Sequence, residues 1–255
     1  MLGAIAGDII GSVYEFHSIK TKEFPLFSKN SSFTDDTILT IAVADVILNN
    51  ANYTDKIKEY ARCYPSSYGF KFRGWAESDS KEPYYSYGNG SAMRVSPVGF
   101  AFNDLKTVLE EAKKSAEVTH NHPEGIKGAQ ATATAIFLAR NGKTKAEIKT
   151  YIEDTFCYNL RQTLAEIRPQ YRFNETCQGT VPEAIICFLE SENYEDAVRN
   201  AVSLGGDSDT QACITGGIAE AFYGGISPEI EQKVFSLLVP EFREIVTTFR
   251  AKYLV

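Results

Sequence analysis

From residue 104 to the C-terminus the sequence keeps returning to one period. LKTVLEEAKKSAEVTH, GIKGAQATATAIFLARNG, KTKAEIKTYIEDTF, VPEAIICFLE, YEDAVRNAVSL, SPEIEQKVFSLL and PEFREIVTTFRAKYLV follow one another, each with the apolar spacing of an α-helix. Segments of alternating polarity are nearly absent, so these faces must be buried helix against helix. The expected fold is all-α, a compact orthogonal helical bundle forming a single domain over residues 1–255. Ala129, Ala131, Ala133 and Ala135 are small enough to let helices approach closely in its core. Upstream, MLGAIAGDIIGSVYEF reads as a first helix, and His17 to Ser32 as a polar, aromatic connector. TDDTILTIAVADVILNN carries Ile38, Leu39, Ile41, Ala42 and Val46, a broad apolar face that predicts a second helix from about residue 35. Residues 64–100 hold Pro65, Gly69, Gly74, Pro83, Gly88 and Gly90 among many aromatics, with no sustained period. The reading there is an ordered, ligand-facing loop.

Composition narrows the function classes. With 255 residues, 44% hydrophobic and 23% charged, the chain can bury one large core. A net charge of −7 argues against a nucleic-acid partner, whose phosphates need clustered Lys and Arg, while a local site for a small anion stays compatible. The five cysteines are scattered, without a CxxC, and read as reduced thiols of a cytoplasmic protein. The apolar N-terminus lacks a basic flank and contains Asp8, unlike a signal peptide. It is also shorter than the roughly 20 residues that span a bilayer, so no membrane partner is expected.

Two distant segments place paired carboxylates at the start of strongly apolar helices: Thr34-Asp35-Asp36 in FTDDT and Asp207-Ser208-Asp209-Thr210 in GGDSDTQACITGG. One acidic residue suffices for an N-cap, and first-turn acids complement the helix dipole. A second acid next to a buried helix is costly unless it is paired or bound to metal. Adjacent helical residues point about 100° apart, so neither pair can grip one small ion alone. Two such helix starts facing each other would surround a pair of ions with oxygen, a donor set for Mg²⁺ or Mn²⁺ rather than zinc. His120 and His122 in THNHPEG, with only His17 besides, do not make a zinc site. Asp8 in GDIIG reads as structural. Gly88 and Gly90 in SYGNGSAMR let a backbone approach a ligand.

The chain resembles the ADP-ribosylglycohydrolase family over nearly its whole length. GAIAGDIIGSVYEF, FTDDT, YGNGSAMRVSPVG, THNHPEGIKGAQATATAIFLA and GGDSDTQACITGGIAEAFYG occur in the family's order. The resemblance implies an all-α fold with two Mg²⁺ or Mn²⁺ in a central cleft, ligated at Thr34, Asp35, Asp36, Asp207, Asp209 and Thr210. It further implies substrate contacts at Asn89, Gly90, Ser91 and His120, and a glutamate near the metals at Glu15. The implied activity is hydrolysis of the bond between ADP-ribose and an acceptor such as a protein arginine or serine or a small conjugate, with Glu15, Asp36 and Asp209 in catalysis. The expected partner is an ADP-ribose-containing substrate such as an ADP-ribosylated protein, and the expected state is a monomer. Tyr84, Tyr85 and Tyr87 are candidates for stacking on adenine, and Arg94 for anchoring the loop or touching ligand. Two other functions fit parts of the sequence: an ADP-ribose-binding protein without activity, and an aspartate-based metal phosphohydrolase. The second requires DxDxT after a hydrophobic strand, whereas Thr210 directly follows Asp209.

Overall fold

Every fourth residue along one face of the first helix is glycine, and that face meets another helix backbone to backbone. A Cβ on Gly3 would lie 2.6 Å from the Gly216 carbonyl oxygen, one on Gly7 2.0 Å from that of Ala212, and one on Gly11 2.4 Å from that of Ser208. The descending partners show that the two helices run antiparallel. Glycine within a helix costs up to about 1 kcal/mol in propensity; here it brings two main chains into contact that no side chain would allow.

A computed structural model describes residues 1–254. In chain order its helices are α1 (Leu2–Gly11), α2 (Asp35–Asn49), α3 (Tyr53–Cys63), α4 (Phe70–Glu77), α5 (Gly90–Met93), α6 (Ser96–Ala101), α7 (Leu105–Glu117) and α8 (Pro123–Arg140). They continue with α9 (Lys145–Phe156), α10 (Leu164–Ile167), α11 (Cys177–Leu189), α12 (Tyr194–Val202), α13 (Ser208–Tyr223), α14 (Pro228–Leu237) and α15 (Pro240–Tyr253). Among the described residues there is no strand, only an isolated bridge between Gly88 and Thr176. The all-α fold expected from the helical period is the fold observed.

All of α1 is buried, as is α13 from Ser208 to Glu220. Around this pair pack α8, α11 and α12, while α2 sits between α3, α6 and α15. Local sequence sets many of the helix starts. Thr34, Asn52, Asp104, His122, Thr176, Asn193 and Ser227 each accept a first-turn N–H, and Thr144 and Thr163 form capping boxes with Glu147 and Glu166. Gly205, at φ +64°, turns the chain into α13. The connector is tied down at Lys22 and Phe24, whose carbonyls accept from Arg199 at 2.8 and 2.7 Å.

Residues 64–100 depart from the expected loop. They contain α4, α5 and α6, of eight, four and six residues, shorter than the windows in which a helical period can be recognised. The cysteines are all free, with Cys177, Cys187 and Cys213 buried. No described helix is long and apolar enough to cross a membrane.

Candidate metal centre and substrate cleft

The site starts at Asp8, whose buried carboxylate clamps the first turn of α2. Its Oδ1 accepts from the Thr34 hydroxyl at 2.7 Å; its Oδ2 accepts from the N–H groups of Thr34 (3.0 Å) and Thr37 (3.1 Å) and from the Thr37 hydroxyl. Thr34 Oγ1 in turn accepts from Asp36 N at 3.3 Å, which leaves it one lone pair. The clamp fixes the turn from which Asp35 and Asp36 project.

The start of α13 supplies the facing acids. Asp207 occupies the N-cap position without capping. Instead its Oδ2 accepts from Asn89 Nδ2 at 2.7 Å, and the same Asn89 nitrogen reaches Thr180 Oγ1 at 3.2 Å. Thr210 N donates to Asp209 Oδ1 at 3.0 Å, and the Thr210 hydroxyl donates to Asp36 Oδ2 at 3.3 Å. Ser208, a capping candidate by residue type, lies inside the first turn with its hydroxyl buried and unpartnered.

Carboxylate oxygens converge in two groups, Asp8 with Asp36 and Asp209, and Glu15 with Asp207 and Asp209, each within 4.8 Å. Asp209 belongs to both. Burial and mutual repulsion raise the whole set: Asp36 and Asp209 lie well above the usual carboxylate range, and Asp35 is pushed to about 6. Glu15, half-buried, rises to about 7, through desolvation first and then the charges of Asp207 and Asp35. None of Glu15, Asp35, Asp36, Asp207 and Asp209 forms an ion pair among the described residues. Asp36 Oδ1 is buried with no hydrogen-bond partner. An orphaned oxygen inside an all-oxygen, uncompensated acidic cluster fits a hard divalent cation.

The acids line a cleft of about 450 Å³. Glu15, Asp35, Asp36, Asp207, Asp209 and Thr210 share its lining with Asn89, Gly90, Arg94, His120 and Tyr84. Two of the residues expected at the site are not among those lining the cleft. Ser91 is fully buried and its hydroxyl donates to the Gly125 carbonyl at 2.7 Å, and the Thr34 hydroxyl donates to Asp8 while its oxygen keeps a lone pair free. Tyr85 and Tyr87 pack against the His122 ring, with centroids 4.8 and 5.2 Å away.

A family model described as ADP-ribosylglycohydrolase matches residues 1–245. The chain belongs to the ADP-ribosylglycohydrolase family. It is 27% identical to ADP-ribosylhydrolase ARH3 of Xenopus tropicalis, covering 88% of this chain and 86% of the relative. With ADP-ribosylarginine hydrolase Tri1 of Pseudomonas putida (strain GB-1) it shares 26% identity over 92% of this chain and 72% of the relative. A solved ADP-ribosylglycohydrolase-related protein complex has the same fold, with a TM-score of 0.75 and 22% identity over 99% of this chain and 96% of that one.

Within this ADP-ribosylglycohydrolase chain, motif reading passed over Ser67, Gly69, Phe70 and Lys71, which line the cleft from α4 and the loop before it, and Phe173 and Glu175 from the segment before α11. The only local signal was a loop rich in glycine and aromatics. Phe70 is 93% exposed and Phe173 45%, and Phe16 stacks on Phe173 with centroids 6.4 Å apart. Phe70 and Phe173 thus add exposed aromatic rings to the lining of the cleft.

Proposed function

We propose that the protein hydrolyses the glycosidic bond joining C1 of the distal ribose of ADP-ribose to an acceptor, with two Mg²⁺ or Mn²⁺ held by Asp35, Asp36, Asp207, Asp209, Thr210 and the remaining lone pair of Thr34. The observation that carries the reading is the sharing of Asp209 between two carboxylate groups, three of whose acids line the cleft beside Asp36. The relatives' names, ADP-ribosylhydrolase and ADP-ribosylarginine hydrolase, support it. When bound, the ions would supply electrostatic stabilisation at the anomeric centre and orient the ribose diol and water.

The chain's own residues do the rest. Asp8 holds the α2 turn so that Asp35 and Asp36 keep their directions, and Asn89 holds Asp207. Glu15, which lines the cleft and is the least buried acid of the Asp207 and Asp209 group, takes the proton of the attacking water. Asp36 and Asp209 fix the negative field at the reacting carbon. Gly90, Asn89 and His120 form the wall along which the rest of the ADP-ribose lies, with Tyr84 at hand for the adenine. Free thiols and a net charge of −7 suit a cytoplasmic monomer with no nucleic-acid partner.

The test is turnover of ADP-ribosyl-arginine, ADP-ribosyl-serine and O-acetyl-ADP-ribose with Mg²⁺ or Mn²⁺. Hydrolysis of at least one, abolished by chelation, is the expected result. Tight ADP-ribose binding with no hydrolysis of any would make the protein a binder. Release of phosphate from p-nitrophenyl phosphate without ADP-ribose turnover would make it a phosphohydrolase.

A further inference from the structure

Arg94, the residue that ends α5, is fully buried and makes no ion pair among the described residues. Its Nη2 donates to the Ser115 carbonyl at 2.7 Å and to Thr119 Oγ1 at 2.9 Å. A guanidinium has donors only, so Thr119 Oγ1 must be the acceptor of that bond. The Thr119 hydroxyl is itself buried, and among the described residues its one proton has a single acceptor in reach, His120 Nδ1 at 2.7 Å. A proton on Nδ1 would give Thr119 Oγ1 two incoming donors and leave its own proton buried without a partner, an unmade hydrogen bond that folding does not repay. The bonding pattern closes in one way: Arg94 to Thr119, and Thr119 to a bare Nδ1.

The other ring nitrogen then carries the proton of the neutral imidazole. Burial, and after it the charge of Arg94, hold the His120 ring well below its ordinary pKa, so the neutral form prevails. Nε2 makes no hydrogen bond with the described protein and lies beside the glycine turn, 3.2 Å from where a Cβ of Gly90 would stand and 3.5 Å from one at Gly88. His120 also lines the cleft. We infer that Arg94 and Thr119 are positioning residues that lock His120 as a neutral Nε2–H donor, aimed past Gly88 and Gly90 at an oxygen of the bound ligand. A phosphate or ribose oxygen is the acceptor this N–H selects, and a ligand atom that only donates is rejected. That half of the inference rests on the ADP-ribose reading; the tautomer does not.

The tautomer is measured on the wild-type protein labelled with ¹⁵N-histidine, using two-bond couplings between ring protons and nitrogens, with His120→Gln assigning the signals. The expected pattern is a protonated Nε2 and a bare Nδ1. A protonated Nδ1, alone or in an imidazolium, overturns the inference. ADP-ribose affinity is measured in parallel by calorimetry. Thr119→Val should weaken binding by roughly ten-fold, the loss of one oriented hydrogen bond, and Thr119→Ser should restore it. Wild-type affinity in Thr119→Val shows that Thr119 does not position the ring. A wild-type protein that binds no ADP-ribose overturns the substrate reading, while the nitrogen shifts still decide the tautomer.

Discussion

The Thr210 hydroxyl on α13 donates to Asp36 Oδ2 on α2 at 3.3 Å, bridging two acidic helix starts that lie 174 residues apart in sequence. Among the described residues, this neutral hydroxyl is the one direct hydrogen bond between Asp36 and the α13 turn, and Asp36 Oδ1 has no partner. The arrangement therefore stores repulsion that a cation relieves.

Divalent cations should accordingly stabilise the protein. An ion at a hundred times its Kd adds about 2.7 kcal/mol per site, so Mg²⁺ or Mn²⁺ should raise the melting temperature by several degrees. Asp36→Asn removes a buried like charge; it should leave the metal-free protein as stable as wild type or more so, shrink the ion-induced shift and abolish turnover. Scanning calorimetry with and without chelator checks this. An unchanged shift in Asp36→Asn would show that the ions bind elsewhere.

Asp8 should behave differently although it sits in the same cluster. Its two oxygens already accept four hydrogen bonds from Thr34 and Thr37. Asp8→Ala leaves the buried N–H and hydroxyl of Thr37 and the part-buried pair of Thr34 without their acceptor, so it should cost about 3 kcal/mol in urea unfolding as well as activity. Loss of activity with undiminished stability would instead place Asp8 among the metal ligands.

Gly7→Ala tests the close approach of α1 and α13. In an ordinary helix the change would gain up to about 1 kcal/mol in propensity. Here the added methyl would sit 2.0 Å from the Ala212 carbonyl oxygen, a main-chain atom that cannot rotate away. A net loss of at least about 3 kcal/mol, or failure to fold, is expected, measured by circular dichroism and urea unfolding. Gly74→Ala is the control, since nothing lies within 4 Å of its Cβ position.

These contrasts mark what the sequence could carry. The helical period made the long helices visible because each buries a continuous face, whereas α4, α5 and α6 are too short to show one, α4 and α5 lining the cleft and α6 lying buried against α8 and α2. Asp35, Asp36, Asp207 and Asp209 were legible as a set because two carboxylates exceed what a cap requires. Ser91 was not: its type fits a phosphate loop equally well, and only packing turns its hydroxyl to Gly125. The glycines at positions 3, 7 and 11 were in view as a spacing, but what they touch is a helix 200 residues away. Arg94, Thr119 and His120 come together only through the packing of α7 and α8 against α5.

Glu183 on α11 lies away from the acids of the cleft and tests how burial alone shapes stability. Its Oε2 is buried without a hydrogen-bond partner, and desolvation pushes its carboxyl up to about 7 from 4.5. With the folded value above the unfolded one, the native state binds the extra proton between about pH 4.5 and 7, and its contribution to stability is full below that window and lost as pH rises through it. Glu183→Gln removes this dependence. Wild type and variant should match near pH 4.5, and the variant should be more stable at pH 8, on the order of 2 kcal/mol. The quantity to measure is the difference between the two proteins in urea unfolding across that range, because the carboxylates of the cleft titrate equally in both and cancel. A difference that stays constant with pH would mean that Glu183 is charged throughout, its Oε2 satisfied by a partner such as an ordered water.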